Sequence, residues 1–313
     1  MARQHDGIYA AILTPLMADG SIDTHGFAAL CANLLANGCN GIALFGTTGE
    51  APCFSLEERE QALEAILQLG VPAERLIVGT GCCAVPETVR LTRHAVCQGC
   101  AGVLMLPPFY YNDVSDEGLY DAYARTVERV ADDRLRLYLY HFPDMSGVPL
   151  SRDLVARLHA DFPEHIVGIK DSSGNLENMA ALVETLPGLT VFTGDDDLLL
   201  PLMKKGGHGS ITAGANIASS LLAKVYAEWR TDSEQVKESH AMLKCLWSDL
   251  LLQYPVTEAL KELLATKTGD DAWLRMRPPL RRLRESQRRS FLEQSAATGF
   301  EIRESLKDVL ANN

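Results

Sequence analysis

No apolar run in this chain reaches the roughly 18 residues that a membrane-spanning helix needs, so no helical span is expected. Basic charge is scarce as well: 29 Lys and Arg stand against 41 Asp and Glu, a formal net charge of −12. That deficit excludes non-specific attachment to nucleic acid or to an anionic membrane surface, both of which are driven by Lys and Arg neutralising phosphate. It also means that an anionic substrate must be held by local donors. Metal-ligand spacing is missing. The eight histidines form no HxH or HExxH pattern, and His141 and His208 stand alone in the sequence, which argues against a metal-dependent site. Cys97 and Cys100 make a single CxxC at the end of a helical pattern, with no second pair to complete a zinc site. The other cysteines read as small core residues in a reducing compartment. No secretory leader is read in residues 1–7, which run directly into a strand-like segment, and a cytoplasmic location is expected.

What is present is an alternation. Short apolar runs at residues 8–16, 41–45, 76–79, 102–106, 135–140, 166–170, 190–193 and 209–212 read as buried strands. Amphipathic helical stretches separate them. One spans residues 24–36 and is ended by Gly38; another is opened by Ser55 with Glu58 at capping-box spacing. Eight strand–helix pairs predict a (β/α)8 TIM barrel over residues 1–230. The GxGxxG fingerprint of a dinucleotide-binding sheet is missing after the first strand. Residues 231–313 are helical throughout, broken near Pro255 and at Pro278 and Pro279, and read as a C-terminal helical bundle packed on the barrel. The basic run from Arg281 to Arg289 reads as a solvated helix face or an intersubunit salt-bridge surface.

Function in such a barrel gathers at the carboxyl ends of the strands. Gly46-Thr47-Thr48-Gly49-Glu50 follows the second strand, Tyr110-Tyr111 lies in the loop after the fourth, and Tyr140-His141-Phe142-Pro143 ends the fifth. Lys170 closes the sixth, Gly194-Asp195-Asp196-Asp197 follows the seventh, and Ile211 lies in the eighth. A Schiff-base enzyme acting on a 2-oxo acid needs one amine, a proton shuttle and donors for the substrate carboxylate. Lys170 supplies the amine, and desolvation at an apolar mouth favours its neutral, nucleophilic form. Tyr140 on the adjacent strand can carry a proton. Thr47 and Thr48 offer two hydroxyls, and the flanking glycines let backbone N–H groups turn toward an anion without an Arg.

With these motifs, together with Gly147 and Gly168-Ile169-Lys170-Asp171-Ser172-Ser173-Gly174, the chain resembles the pyruvate-dependent class I aldolases of the dihydrodipicolinate synthase / N-acetylneuraminate lyase group. The resemblance runs from about residue 8 to residue 219 and more loosely through the C-terminal helices. It implies that Lys170 forms a Schiff base with pyruvate, that Tyr140 is the acid/base residue, and that Thr47 relays its proton. It implies that Thr48 holds the pyruvate carboxylate and that the backbone carbonyl of Ile211 lies against the Schiff base. Tyr111, or else Tyr110, would be the tyrosine lent across a dimer interface. It further implies a homotetramer built as a dimer of dimers, with no metal or organic cofactor.

Two positions depart from the family pattern. His141 stands where the family has Asn, and Met145 stands where synthases acting on aspartate semialdehyde carry an Arg for that substrate's carboxylate. A thioether cannot replace a bidentate charged contact, a loss of a few kcal/mol. Sugar-acid lyases of the group place a hydroxyl and acidic side chains where Ser172 and Asp196 stand here, with Asp197 next to them, so Ser172 and Asp196, with Gly194 of the Gly194-Asp195-Asp196 motif, are expected to line the site for substrate hydroxyls. The expected reaction joins or splits pyruvate and an aldehyde of the 2-oxo acid or sugar-acid type. Dihydrodipicolinate synthase activity is the alternative, and a non-catalytic 2-oxo acid binder a third.

Overall fold

The computed structural model describes residues 6–301. Eight parallel strands close into a barrel in the order β1 to β8. The first half runs β1 (Gly7–Ala11), α1 (Thr24–Ala36), β2 (Gly41–Leu44), α2 (Leu56–Gln68), β3 (Leu76–Gly79), α3 (Val85–Cys97), β4 (Gly102–Met105) and α4 (Asp116–Val130). The second half runs β5 (Leu137–His141), a single turn α5 (Pro143–Ser146), α6 (Arg152–Asp161), β6 (Ile166–Asp171), α7 (Leu176–Thr185), β7 (Thr190–Thr193), α8 (Leu199–Lys204), β8 (Gly209–Thr212) and α9 (Ala215–Glu228). After it come α10 (Glu234–Lys244), α11 (Val256–Thr268) and α12 (Glu285–Ala297). This is the (β/α)8 TIM barrel with a helical extension expected from the alternation.

Strand pleating sorts the side chains. Tyr9, Ala11, Ala43, Ile77, Leu104, Tyr138, Tyr140, Phe192 and Ile211 fill the barrel interior, while the intervening residues face the helices. The floor is aromatic: the Phe192 ring lies 5.6 Å from Tyr9 and 5.9 Å from Tyr138. Gly168 makes room for that layer, since a Cβ there would come within 2.5 Å of the Tyr138 ring.

Local signals position the helices. Ser55 accepts from Glu58 N and Glu58 returns a bond to Ser55 N, the capping box read from the sequence. The hydroxyls of Ser115 and Ser151 cap α4 and α6, accepting from Gly118 N and Leu154 N. Such caps contribute about 1 kcal/mol each.

The structure departs from the sequence reading at several ends. The first strand stops at Ala11 rather than running to residue 16, because Pro15 has no N–H to pair and Leu16 turns back to an isolated antiparallel bridge with Ile22. The turn α5 and a π-helical stretch over Cys245–Leu250 were not foreseen. A short 3-10 turn, Trp229–Thr231, connects α9 to α10. Trp247, Leu263, Trp273 and Phe291 of that extension share one continuous buried cluster with barrel-facing residues such as Phe27 and Leu63.

Candidate active site

Parity places the central pair. Tyr140 on β5 lies in register with Lys170 on β6, so both side chains point into the barrel at its carboxyl end. Lys170 Nζ donates to Tyr140 Oη at 3.0 Å and lies 4.2 Å from the centre of the Tyr140 ring. Lys170 is 6% exposed, so the amine is sheltered rather than turned to bulk water. Tyr140 Oη also lies 3.4 Å from Thr47 Oγ1. Phe142 stacks on the Tyr140 ring at 5.8 Å and limits its tilt.

The loop carrying Thr47 and Thr48 is tightly folded. Phe45 and Glu50, one on each side of it, both adopt left-handed backbone (φ 51° and 57°). Non-glycine residues in that region are strained by about 1–3 kcal/mol. Fixed packing holds them: the Phe45 ring is buried edge-on against Phe27 and Phe54, and the Arg59 guanidinium lies over it. Thr14 Oγ1 donates to Gly49 O at 2.8 Å, and Glu50 N donates to Thr47 O at 3.1 Å. Thr48 is buried within this loop.

The opposite rim comes from β6, β7 and β8. Ser172 shares the inward parity of Lys170, and its N donates to His141 O at 2.8 Å. Gly194 is needed beside it, because a Cβ there would overlap the Ser172 hydroxyl. Ile211 is fully buried in the same interior cluster as Tyr140. Asp195 accepts from Trp247 Nε1 at 3.0 Å through one oxygen, and its other oxygen is buried without a hydrogen-bond partner. Burial raises the Asp195 carboxyl above the usual carboxylate range, although the Trp247 donor and the Lys170 charge pull the other way.

Not every expected residue joins this group. Asp196 is 1% exposed and accepts from Thr212. Thr212 alternates with Ile211, so this bond lies on the helix side of β8, away from the barrel interior. Burial pushes the Asp196 carboxyl up to about 8. The expectation that Asp196 holds a substrate hydroxyl is therefore corrected by its side-chain placement, and Asp195 is the acid whose field reaches Lys170. Tyr110 and Tyr111 are 75% and 74% exposed, packed edge-to-face on each other outside the buried centre. Met145 stands on α5 at the rim, 59% exposed. His141 faces away from the interior, accepts from Leu150 N at 3.0 Å, and is held below the ordinary imidazole range by burial, opposed by Asp171. Among the described residues no three His, Cys, Asp or Glu side chains are grouped to hold a metal ion.

Sequence reasoning missed two side chains from the helical extension. Trp247 bonds Asp195 from 52 residues away, and Lys261 bonds Glu50 from 211 residues away. No local motif announces either.

A (β/α)8 barrel with one sheltered amine hydrogen-bonded to a phenol at its carboxyl end defines an enzyme of the Schiff-base, class I aldolase type. The comparison with known proteins narrows this. The chain belongs to the dihydrodipicolinate synthetase family, whose sequence pattern matches residues 4–297. A DapA-like lyase of Chloroflexus aurantiacus is 34% identical over 279 residues, covering 88% of this chain and 90% of that protein. A 4-hydroxy-tetrahydrodipicolinate synthase of Thiobacillus denitrificans is 34% identical over 262 residues, covering 82% and 86%. The crystal structure of a chloride-inhibited dihydrodipicolinate synthase from Acinetobacter baumannii, complexed with pyruvate, superposes with a TM-score of 0.83 at 33% identity, covering 95% of this chain and 99% of that one. The chain is a lyase of the pyruvate-dependent class I aldolase kind.

Proposed function

We propose that this enzyme joins pyruvate to, or splits it from, an uncharged aldehyde, through an imine on Lys170. The observation that carries this reading is the 3.0 Å bond from Lys170 Nζ to Tyr140 Oη, extended to Thr47 at 3.4 Å. Lys170 Nζ attacks C2 of pyruvate, and the carbonyl oxygen departs as water once protonated. The iminium loses a methyl proton and becomes an enamine, whose carbon attacks the aldehyde carbon while the aldehyde oxygen takes up a proton and the nitrogen becomes an iminium again. Water then hydrolyses the imine and returns the free amine. These steps move protons to and from groups beside Nζ, and Tyr140 Oη serves as their acid and base, with Thr47 as the next hydroxyl along. Thr48 and the surrounding loop amides receive the pyruvate carboxylate, and the Ile211 carbonyl lies against the imine.

Uncharged aldehydes are favoured because Met145 occupies the rim and Asp195 adds acid, not base, to the far side. Ser172 and Gly194 leave a free hydroxyl and space for a hydroxylated chain. A second reading, synthesis from aspartate semialdehyde, is supported by relatives that carry that name. In the same proposal Tyr111, or Tyr110, completes the relay of a second copy within a cytoplasmic homotetramer, since both rings are exposed and need a partner. Borohydride reduction with pyruvate tests the chemistry. One pyruvyl group should be fixed on Lys170, and Lys170→Ala should lose both fixation and turnover. An unmodified Lys170 would refute the mechanism.

A further inference from the structure

Glu50 and Lys261 form an ion pair with side chains 0% and 2% exposed, one on the threonine loop and the other on α11 of the helical extension. Lys261 Nζ also donates to Arg275 O at 2.8 Å. The second Glu50 oxygen is buried without a partner, so the pair is not the cheapest way to fill this space. The backbone supplies the reason. Glu50 has φ 57°, its N closes the turn onto Thr47 O at 3.1 Å, and Ala51 N reaches Gly46 O at 3.3 Å. The same part of the extension grips the neighbouring loops: Arg275 donates to Leu16 O at 2.9 Å, and Arg277 to Gly20 O at 2.8 Å and Cys53 O at 3.2 Å.

We propose that Lys261 is a positioning residue for pyruvate binding. Through Glu50 it holds the Thr47–Thr48 loop in its left-handed turn, with Thr47 set against Tyr140. The helical extension is thereby part of the carboxylate-binding apparatus, although none of its atoms touches pyruvate. This role rests on the pyruvate reading above.

A merely structural pair would change the melting temperature and leave pyruvate affinity alone. The test is the pyruvate concentration at which borohydride fixation is half-maximal. In Glu50→Gln/Lys261→Met no unpaired charge is left buried, so the fold is kept. Its half-maximal concentration should rise about tenfold, with full fixation at saturating pyruvate because Lys170 is untouched. Glu50→Gln alone, which preserves size and leaves Lys261 two acceptors, should show a smaller rise in the same direction. If either variant, folded by circular dichroism, keeps the wild-type concentration, the positioning role is refuted while the pyruvate reading stands. If the unsubstituted enzyme is not fixed at all, the pyruvate reading falls and this role with it.

Discussion

Replacing Tyr140 by Phe removes one oxygen and leaves the ring where it is. The ring is buried between the barrel interior and Phe142, whose centre lies 5.8 Å away, so packing is preserved. What is lost is the acceptor of the 3.0 Å bond from Lys170 and the 3.4 Å approach to Thr47. Leaving the Lys170 donor unpaired in a sheltered site costs about 1–3 kcal/mol, which bounds the effect on stability. The effect on rate is larger. Removing a positioned acid/base group lowers turnover by about 10²–10⁴-fold, or about 3–5 kcal/mol at 1.36 kcal/mol per decade. Steady-state turnover with pyruvate and an accepted aldehyde measures the rate, and solvent exchange of the pyruvate methyl protons isolates enamine formation. Both should fall together, while borohydride still fixes pyruvate slowly on Lys170. A Tyr140→Phe enzyme that turns over and exchanges within about threefold of the parent would refute the assignment of Tyr140 as the proton carrier.

Asp196→Asn should stabilise the protein increasingly as pH rises. The Asp196 carboxyl is raised from 3.8 to about 8 by burial, so between those values the folded protein keeps a proton that the unfolded chain has lost. Folding then loses up to about 1.4 kcal/mol per pH unit at this site, a loss the amide does not suffer. Urea denaturation of both proteins at pH 5 and pH 8 measures the difference, and a gap that shrinks with pH contradicts the burial argument. Met145→Arg should raise kcat/KM for aspartate semialdehyde by roughly tenfold or more, since it restores a charge-assisted contact at the rim. A parent enzyme already efficient with that substrate, and unimproved by the change, would favour the synthase reading.

The barrel was legible because its signals are local. Apolar runs of four to six residues, the Ser55–Glu58 capping box and the glycines after helices each depend on neighbours in sequence. Tyr140 and Lys170 could be picked out because each closes a short apolar run; that they stand in register on neighbouring strands is known only from the structure. Asp196 shows where that reasoning fails. Its position after β7 suits a substrate contact, but the loop geometry aims its carboxylate at Thr212 behind β8. The extension fails differently. Trp247 reaches Asp195 and Lys261 reaches Glu50 across 52 and 211 residues, distances at which periodicity carries no information. The π-helical stretch that carries Trp247 has no propensity signature in the sequence.

The aromatic layer of Tyr9, Tyr138 and Phe192 stoppers the barrel from below. Among the described residues that layer closes the barrel beneath Lys170, so the carboxyl ends of the strands are its way in. The molecule seated deepest therefore enters first and departs last, and an aldehyde resting above it acts as a lid on the occupant beneath. An aldehyde arriving ahead of pyruvate would block the passage, so an excess of it should behave as an inhibitor competing with pyruvate for the empty well.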